Sequence, residues 1–185
     1  MQPPPQTIPK PKAFMILGIL NLIIGIFTVG GLLMSLVMQM VPALREQDVT
    51  RKIIEQHSEF AIFHYVGMGL GGIMGVVVLL SGIGLLMSKN WGRTLGIVWA
   101  VYTLIYMPIG GWITYKYIWP ATMEHTMQNT PGMDANAAKI AEMVMIVIGG
   151  GTMVLYVLYC LGAIYALSRG KMKAWCLTRG QPLPG

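Results

Sequence analysis

The sequence predicts an all-α fold, a transmembrane four-helix bundle, and three observations carry that reading. Charged residues make up 11% of the chain and hydrophobic residues 55%, where an ordinary soluble domain carries about 25% charge. Mean hydropathy is +0.61. Four apolar stretches are each long enough to cross a hydrocarbon core of about 30 Å, which takes roughly 20 helical residues. A chain of 185 residues would suit one soluble domain by length, but so few charges cannot cover a water-facing surface.

The elements follow in order. Residues 1–12 form a Pro-rich arm with Pro3, Pro4, Pro5, Pro9 and Pro11; prolines fix φ and lack the donor a helix needs, so the arm reads as extended. The first span is expected from about Ala13 to Val41. It is too long for a signal-peptide core and shows no small-residue cleavage site, so it reads as a retained membrane helix. In the connector Pro42 to Glu59, Leu44, Val49, Ile53 and Ile54 keep a loose helical spacing with charges between them. That pattern predicts a helical segment capping the bundle or extending the second span, Phe60 to Met87. A short link, Ser88–Thr94, leads to the third span, Leu95 to Trp119, with Pro108 inside and Lys116 near its end. Glycine and proline are tolerated in membrane helices, and Pro108 is expected to kink this one. Asn129, Thr130, Pro131 and Gly132 signal a turn, after which Asp134 or Asn136 could cap a fourth span, Met143 to Leu167. Residues 13–167 thus form the transmembrane domain, followed by a basic tail over 168–185. Several runs exceed the minimum length, which implies tilt or projection beyond the lipid. Trp91, Trp112, Tyr115, Tyr117, Trp119 and Trp175 lie near span ends, as an interfacial aromatic belt would.

Charge assigns the sides. The arm, the link and the tail hold Lys10, Lys12, Lys89, Arg93, Arg169, Lys171, Lys173 and Arg179, and no acid. The other connectors hold Arg45, Arg51, Lys52, Lys116 and Lys139 together with all seven acids. One side therefore carries +8 and the other −2, which accounts for the net +6. The cation bias places both termini and the link in the cytoplasm. It also gives the basic residues a role that needs no nucleic-acid partner.

The two halves resemble each other weakly. Leu17-Gly18-Ile19 corresponds to Leu95-Gly96-Ile97, Gly30-Gly31 to Gly110-Gly111, Gly71-Gly72 to Gly150-Gly151, and Gly82 to Gly162. Such an offset would make the bundle two repeated helical hairpins in parallel orientation. The competing explanation is chance, since glycine and leucine are common in membrane helices.

Four sets of residues are candidate sites. Gly67, Gly71 and Gly75 form a GxxxGxxxG series, whose spacing lets another backbone approach closely, either within the chain or in a second copy. Asn21, inside the first span, and His64, inside the second, are candidate polar or pore-lining groups. Met123, His125 and Met127 form Met-x-His-x-Met, a ligand chemistry suited to Cu(I). The chain has 16 methionines, with some in every span; their use as flexible apolar filler explains the same residues without copper, so the adopted reading has no metal and no cofactor. Pro108 and Gly149-Gly150-Gly151 are hinge candidates that packing explains as well. Cys160 and Cys176 make no disulfide framework. No acid lies at mid-membrane, where a proton- or sodium-coupled carrier would hold one, and no catalytic triad, phosphate loop or His-Glu-x-x-His is legible.

Ser81-Gly82-Ile83-Gly84-Leu85-Leu86, then Lys89-Asn90-Trp91-Gly92-Arg93 and Leu95-Gly96-Ile97, form a recurring pattern. With Phe14–Asn21 in the first span and Tyr156–Tyr165 in the fourth, it resembles small four-span integral membrane proteins of bacteria for which no activity is established. The resemblance implies a fold and carries over no functional residue. A claudin or tetraspanin likeness fails, because the outer connectors have no cysteine. The expected function is non-enzymatic: a scaffold or accessory subunit of the cell membrane. It would pack through small-residue helix faces and present its two outer connectors to a membrane-protein partner or a second copy. The alternative is a small oligomeric channel or transporter.

Overall fold

The computed structural model describes residues 12–41, 49–129 and 135–170. Among them the chain is all-α. Helix α1 is Lys12–Met40, α2 Val49–Gln56, α3 Ser58–Leu86 and α4 Asn90–Ile113. A π-helical segment, Thr114–Ile118, joins α4 to α5, Trp119–Asn129, and α6 is Ala135–Ser168. Four helices are long and apolar enough to span a membrane: α1, α3, the continuous α4–α5 run and α6. This is a multi-pass membrane protein. The Pro-rich arm before Lys12, Leu44, the turn at Thr130, Pro131 and Gly132, the Asp134 cap and the tail beyond Gly170 lie outside the described residues.

Both ends of the third span move, and its helix starts at Asn90 rather than Leu95. The third span does not stop at Trp119: the π segment carries the helix on to Asn129. Helix α6 begins at Ala135, within the Asp134 to Asn136 region expected for its start and with Asn136 inside it, and its membrane-spanning part runs Met143–Ser168, as expected. At both ends of the third span polar residues hide the helix, because hydropathy marks the lipid-crossing part of a helix and not its projecting ends. Helix α4 also runs through Pro108 without interruption.

The helices divide between two compact units. The first contains residues 12–31, 71–102 and 160–170, the second residues 32–41, 49–70, 103–129 and 135–159. The first unit therefore holds the N-terminal end of α1, the α3–α4 link and the C-terminal end of α6.

In the first unit α1 and α3 pack antiparallel with missing side chains at the seam. A Cβ added to Gly25 would lie 2.7 Å from Leu79 Cα, and one added to Gly82 would lie 2.7 Å from Leu22 N. Gly18 and Gly25 are seven residues apart, and so are Gly75 and Gly82. That is the repeat that keeps one seam facing a partner helix. Where lipid supplies no hydrophobic drive between helices, close backbone approach and dispersion must hold them. Helices α3 and α4 meet even more closely, with a Cβ on Gly84 falling 2.5 Å from Gly92 Cα. Phe14, Val78, Leu85, Ala100, Cys160 and Leu167 are fully or almost fully buried around these contacts.

The link itself is a Schellman turn. Ser88 N–H donates to Leu85 O at 3.0 Å and Lys89 N–H to Gly84 O at 2.8 Å, which satisfies two of the carbonyls that a helix end leaves open. The motif needs a left-handed residue, and Ser88 takes it at φ 56°. A side chain there is strained, so Ser88→Gly should stabilise the protein by about 0.5–1 kcal/mol. A thermal melt in one fixed detergent reads this, and a lowered Tm would contradict it.

In the second unit the predicted connector helix is α2, whose Ile53 is buried while Glu55 and Gln56 are exposed. Arg51 pairs with Glu55 at 2.7 Å along its outer side. Helix α2 packs on the π segment and on α5.

Candidate functional site

The residues singled out in the sequence do not form one site. Asn21 belongs to the first unit and is 2% exposed. Its Nδ2 donates to Ser81 Oγ at 3.0 Å, and Ser81 Oγ donates to Gly92 O at 2.9 Å. This relay ties α1, α3 and α4 together beneath Gly96, where an added Cβ would meet Ser81 Oγ at 2.8 Å. Beside it, Arg93 Nη1 donates to Leu167 O at 3.0 Å. A guanidinium on a terminal carbonyl of α6 satisfies the acceptor and complements the negative end of the helix.

His64 belongs to the second unit and stacks on Phe60, with ring centroids 5.9 Å apart. Phe60 and His57 both lie against the Tyr117 ring, at 5.6 and 5.2 Å. Phe63 stacks on Tyr106 at 5.7 Å. His64 thus sits in an aromatic cluster where α3 meets α4 and the π segment.

The GxxxGxxxG series is not one interface. A Cβ on Gly75 would meet Thr28 Cγ2 of α1 at 3.0 Å, Gly67 lies under the Tyr106 hydroxyl of α4, and Gly71 faces open space. A Cβ would come closer than 3.0 Å to another atom at Gly18, Gly25, Gly67, Gly82, Gly84, Gly92 and Gly96. The α1–α3 seam shows in the sequence as the seven-residue spacings Gly18 to Gly25 and Gly75 to Gly82.

Met123, His125 and Met127 lie on α5. In a helix that turns about 100° per residue, His125 points almost opposite to the two methionines. No group of three or more His, Cys, Asp or Glu close enough to hold a metal occurs among the described residues.

The feature that sequence reading missed is a groove of about 810 Å³ in the second unit. One wall is the end of α4, the π segment and the start of α5, with Tyr106, Trp112, Tyr115 and Trp119. The other is α6, with Gly149, Gly150, Thr152 and Met153. Glycines on both walls leave the space: a Cβ on Gly149 or Gly150 would touch nothing within 4 Å, and Gly110 and Gly111 stand across from them. The polar atoms nearby are largely withdrawn. Thr152 Oγ1 donates to Ile148 O of its own helix at 2.7 Å, the usual way a hydroxyl is satisfied in an apolar setting. Trp119 Nε1 is buried with no acceptor among the described residues. The main chain on this wall is irregular, since Pro108 lacks an N–H and Trp119 N–H reaches back to Thr114 O in a π turn. Such π turns recur at functional positions. Lys116, between Tyr115 and Trp119 in the chain, is exposed and donates to Tyr117 OH at 2.7 Å.

The proposed duplication finds uneven support in packing. Gly82 is locked against Leu22, whereas its counterpart Gly162 has nothing within 4 Å. No protein-family model, curated protein or solved structure matches the chain.

Proposed function

We propose that this protein is a non-enzymatic membrane scaffold or accessory subunit, seated in the cell membrane with both termini in the cytoplasm. It binds a membrane-protein partner or a second copy through a small-residue helix face. The observation that carries this reading is the far side of α6. Val147, Gly151, Leu155 and Leu158 recur at helical spacing and all are exposed. A Cβ on Gly151 would touch nothing. Only 6% of an apolar 18-residue stretch of α6 is buried within the chain, against 22–33% for the corresponding stretches of the other three. An apolar helix with little packing of its own, and a glycine in the middle of its open face, suits helix-to-helix association in lipid. Asn21, one of the two candidate pore-lining residues, is buried and bonded to Ser81, which favours the scaffold over the channel or transporter. The cation bias supports the orientation, and a C-terminal reporter should read cytoplasmic.

Gentle extraction followed by native mass spectrometry tests the reading. The expected result is a stoichiometric partner or a second copy, and a lower yield of that assembly for Gly151→Leu with its own melting temperature unchanged. A lone chain that conducts solute in liposomes would replace the scaffold with the channel.

A further inference from the structure

We propose that Met68 is a modification site: a peroxide oxidises its thioether to the sulfoxide, and Ser35 and Gln39 hold the new oxygen, so that oxidation tightens the packing of α1 on α3. All three residues belong to the second unit and none lies on α6. The inference therefore does not rest on the proposed scaffold role.

Three observations carry it. First, two donors from α1 converge on one sulfur. Ser35 Oγ donates to Met68 Sδ at 3.9 Å, and Gln39 Nε2 donates to the same atom at 3.8 Å. Residues four apart share a helix face, so both donors come from the same side. A thioether is a weak acceptor and a poor match for two of them. Second, Ser35 forgoes a better bond. The hydroxyls of Thr28, Thr94, Thr122, Thr126 and Thr152 each return to the carbonyl four residues back, at 2.7–3.3 Å. That option is the usual one for a hydroxyl in a helix, yet the single hydrogen of Ser35 crosses to Met68 instead. Third, there is room. The close glycine seam of α1 and α3 ends at Thr28 and Gly75, and a Cβ on Gly30, Gly31, Gly69 or Gly71 would touch nothing within 4 Å. Ser35, Gln39 and Met68 are half-buried, and Gln39 is one residue from the end of α1, so the sulfur is not sealed from a small oxidant.

The chemistry is a two-electron transfer. A sulfur lone pair attacks one peroxide oxygen, and the O–O bond breaks as the S–O bond forms. The displaced hydroxide takes the hydrogen of the transferred oxygen and leaves as water. Sulfur is oxidised and the peroxide reduced. The sulfoxide oxygen is a strong acceptor one bond length out from the sulfur. Set between Ser35 and Gln39, it comes to an ordinary hydrogen-bond distance from both, about 2.8 Å. A methionine sulfoxide usually disrupts an apolar interior by bringing in a polar group. At Met68 the donors for that group are already in place.

The test uses the full-length protein in detergent, treated with graded hydrogen peroxide, heated into its melting range and cleared of aggregate. Peptide mass spectrometry then reads the sulfoxide at Met68 separately in the soluble and aggregated fractions. Each methionine is followed on its own, so damage at the others does not mask the effect. The expected wild-type result is a soluble fraction enriched in Met68 sulfoxide by about twofold or more, the shift that one added hydrogen bond gives. Ser35→Ala combined with Gln39→Leu should abolish or reverse the enrichment, and Ser35→Ala alone should reduce it. The proposal fails if Met68 stays a thioether at doses that oxidise the exposed Met87. It fails equally if the wild-type soluble fraction is not enriched in the sulfoxide, or if the double variant shows the same enrichment as the wild type.

Discussion

Replacing Gly92 with leucine should leave little folded protein. A Cβ there would sit 2.6 Å from Gly84 Cα and 2.6 Å from Leu85 N, closer than such atoms come. Both neighbours are main chain, so neither can swing aside as the tip of a long side chain would. The helices cannot part at this point either, because the Schellman turn at Ser88 and Lys89 joins them a few residues away. Overpacking a well-fitted core costs roughly 1–3 kcal/mol, and backbone on both sides sets this case at the top of that range or above. The readouts are the monodisperse fraction after extraction and the melting temperature. Gly71→Leu is the contrast, since its side chain would enter open space. Equal melting of the two variants would disprove the α3–α4 contact as described.

Ser81→Ala should have the next largest effect. The hydroxyl of Ser81 is fully buried and serves two bonds, accepting from Asn21 and donating to Gly92 O. Alanine fits the space but leaves the Gly92 carbonyl without this donor and the Asn21 amide without this acceptor. Buried polar groups stripped of a partner cost about 1–3 kcal/mol. In membrane proteins the measured range is lower, near 0.6 and rising to about 1.7 kcal/mol, so a loss of about 1–2 kcal/mol is expected. A double-mutant cycle with Asn21→Ala isolates the pair, because contacting residues couple and distant ones add. Purely additive losses would show that the two side chains do not depend on each other.

The four spans were legible because lipid imposes one requirement on every crossing segment: a long apolar helix. Each of the four predicted spans coincides with a long apolar helix, and the helical spacing around Ile53 predicted α2 correctly. Where the helices project past the apolar run, as in α5 and the start of α6, hydropathy carried no signal. The π segment was invisible, since its residues Thr114–Ile118 have no composition that separates them from an α-helix. Asn21, a candidate polar or pore-lining group by sequence, is buried and bonded to Ser81, a partner that only the packing of α1 on α3 reveals. Of the series Gly67, Gly71 and Gly75, Gly67 lies against Tyr106 of α4 and Gly75 against Thr28 of α1, while the α1–α3 seam also runs through Gly18, Gly25 and Gly82, whose seven-residue spacing the four-residue pattern does not contain. The groove could not be read at all, because it is a property of space between α4 and α6. Its residues, Gly110, Gly111, Gly149 and Gly150, were visible only as kinks or repeats.

The π segment also sets how this region tolerates changes in length. A π turn accommodates an additional residue within the ladder of a continuing helix. Removing one codon between Thr114 and Ile118 would close the ladder to α-helical bonding and leave the helix intact. Because the additional residue and the wide turn leave together, the helix beyond them keeps its angular phase, and Trp119 stays on the groove side. A single-residue deletion here would therefore leave the docking of α5 on α2 in place, whereas the same deletion in the regular part of α4 would shift the phase of everything after it by about 100°.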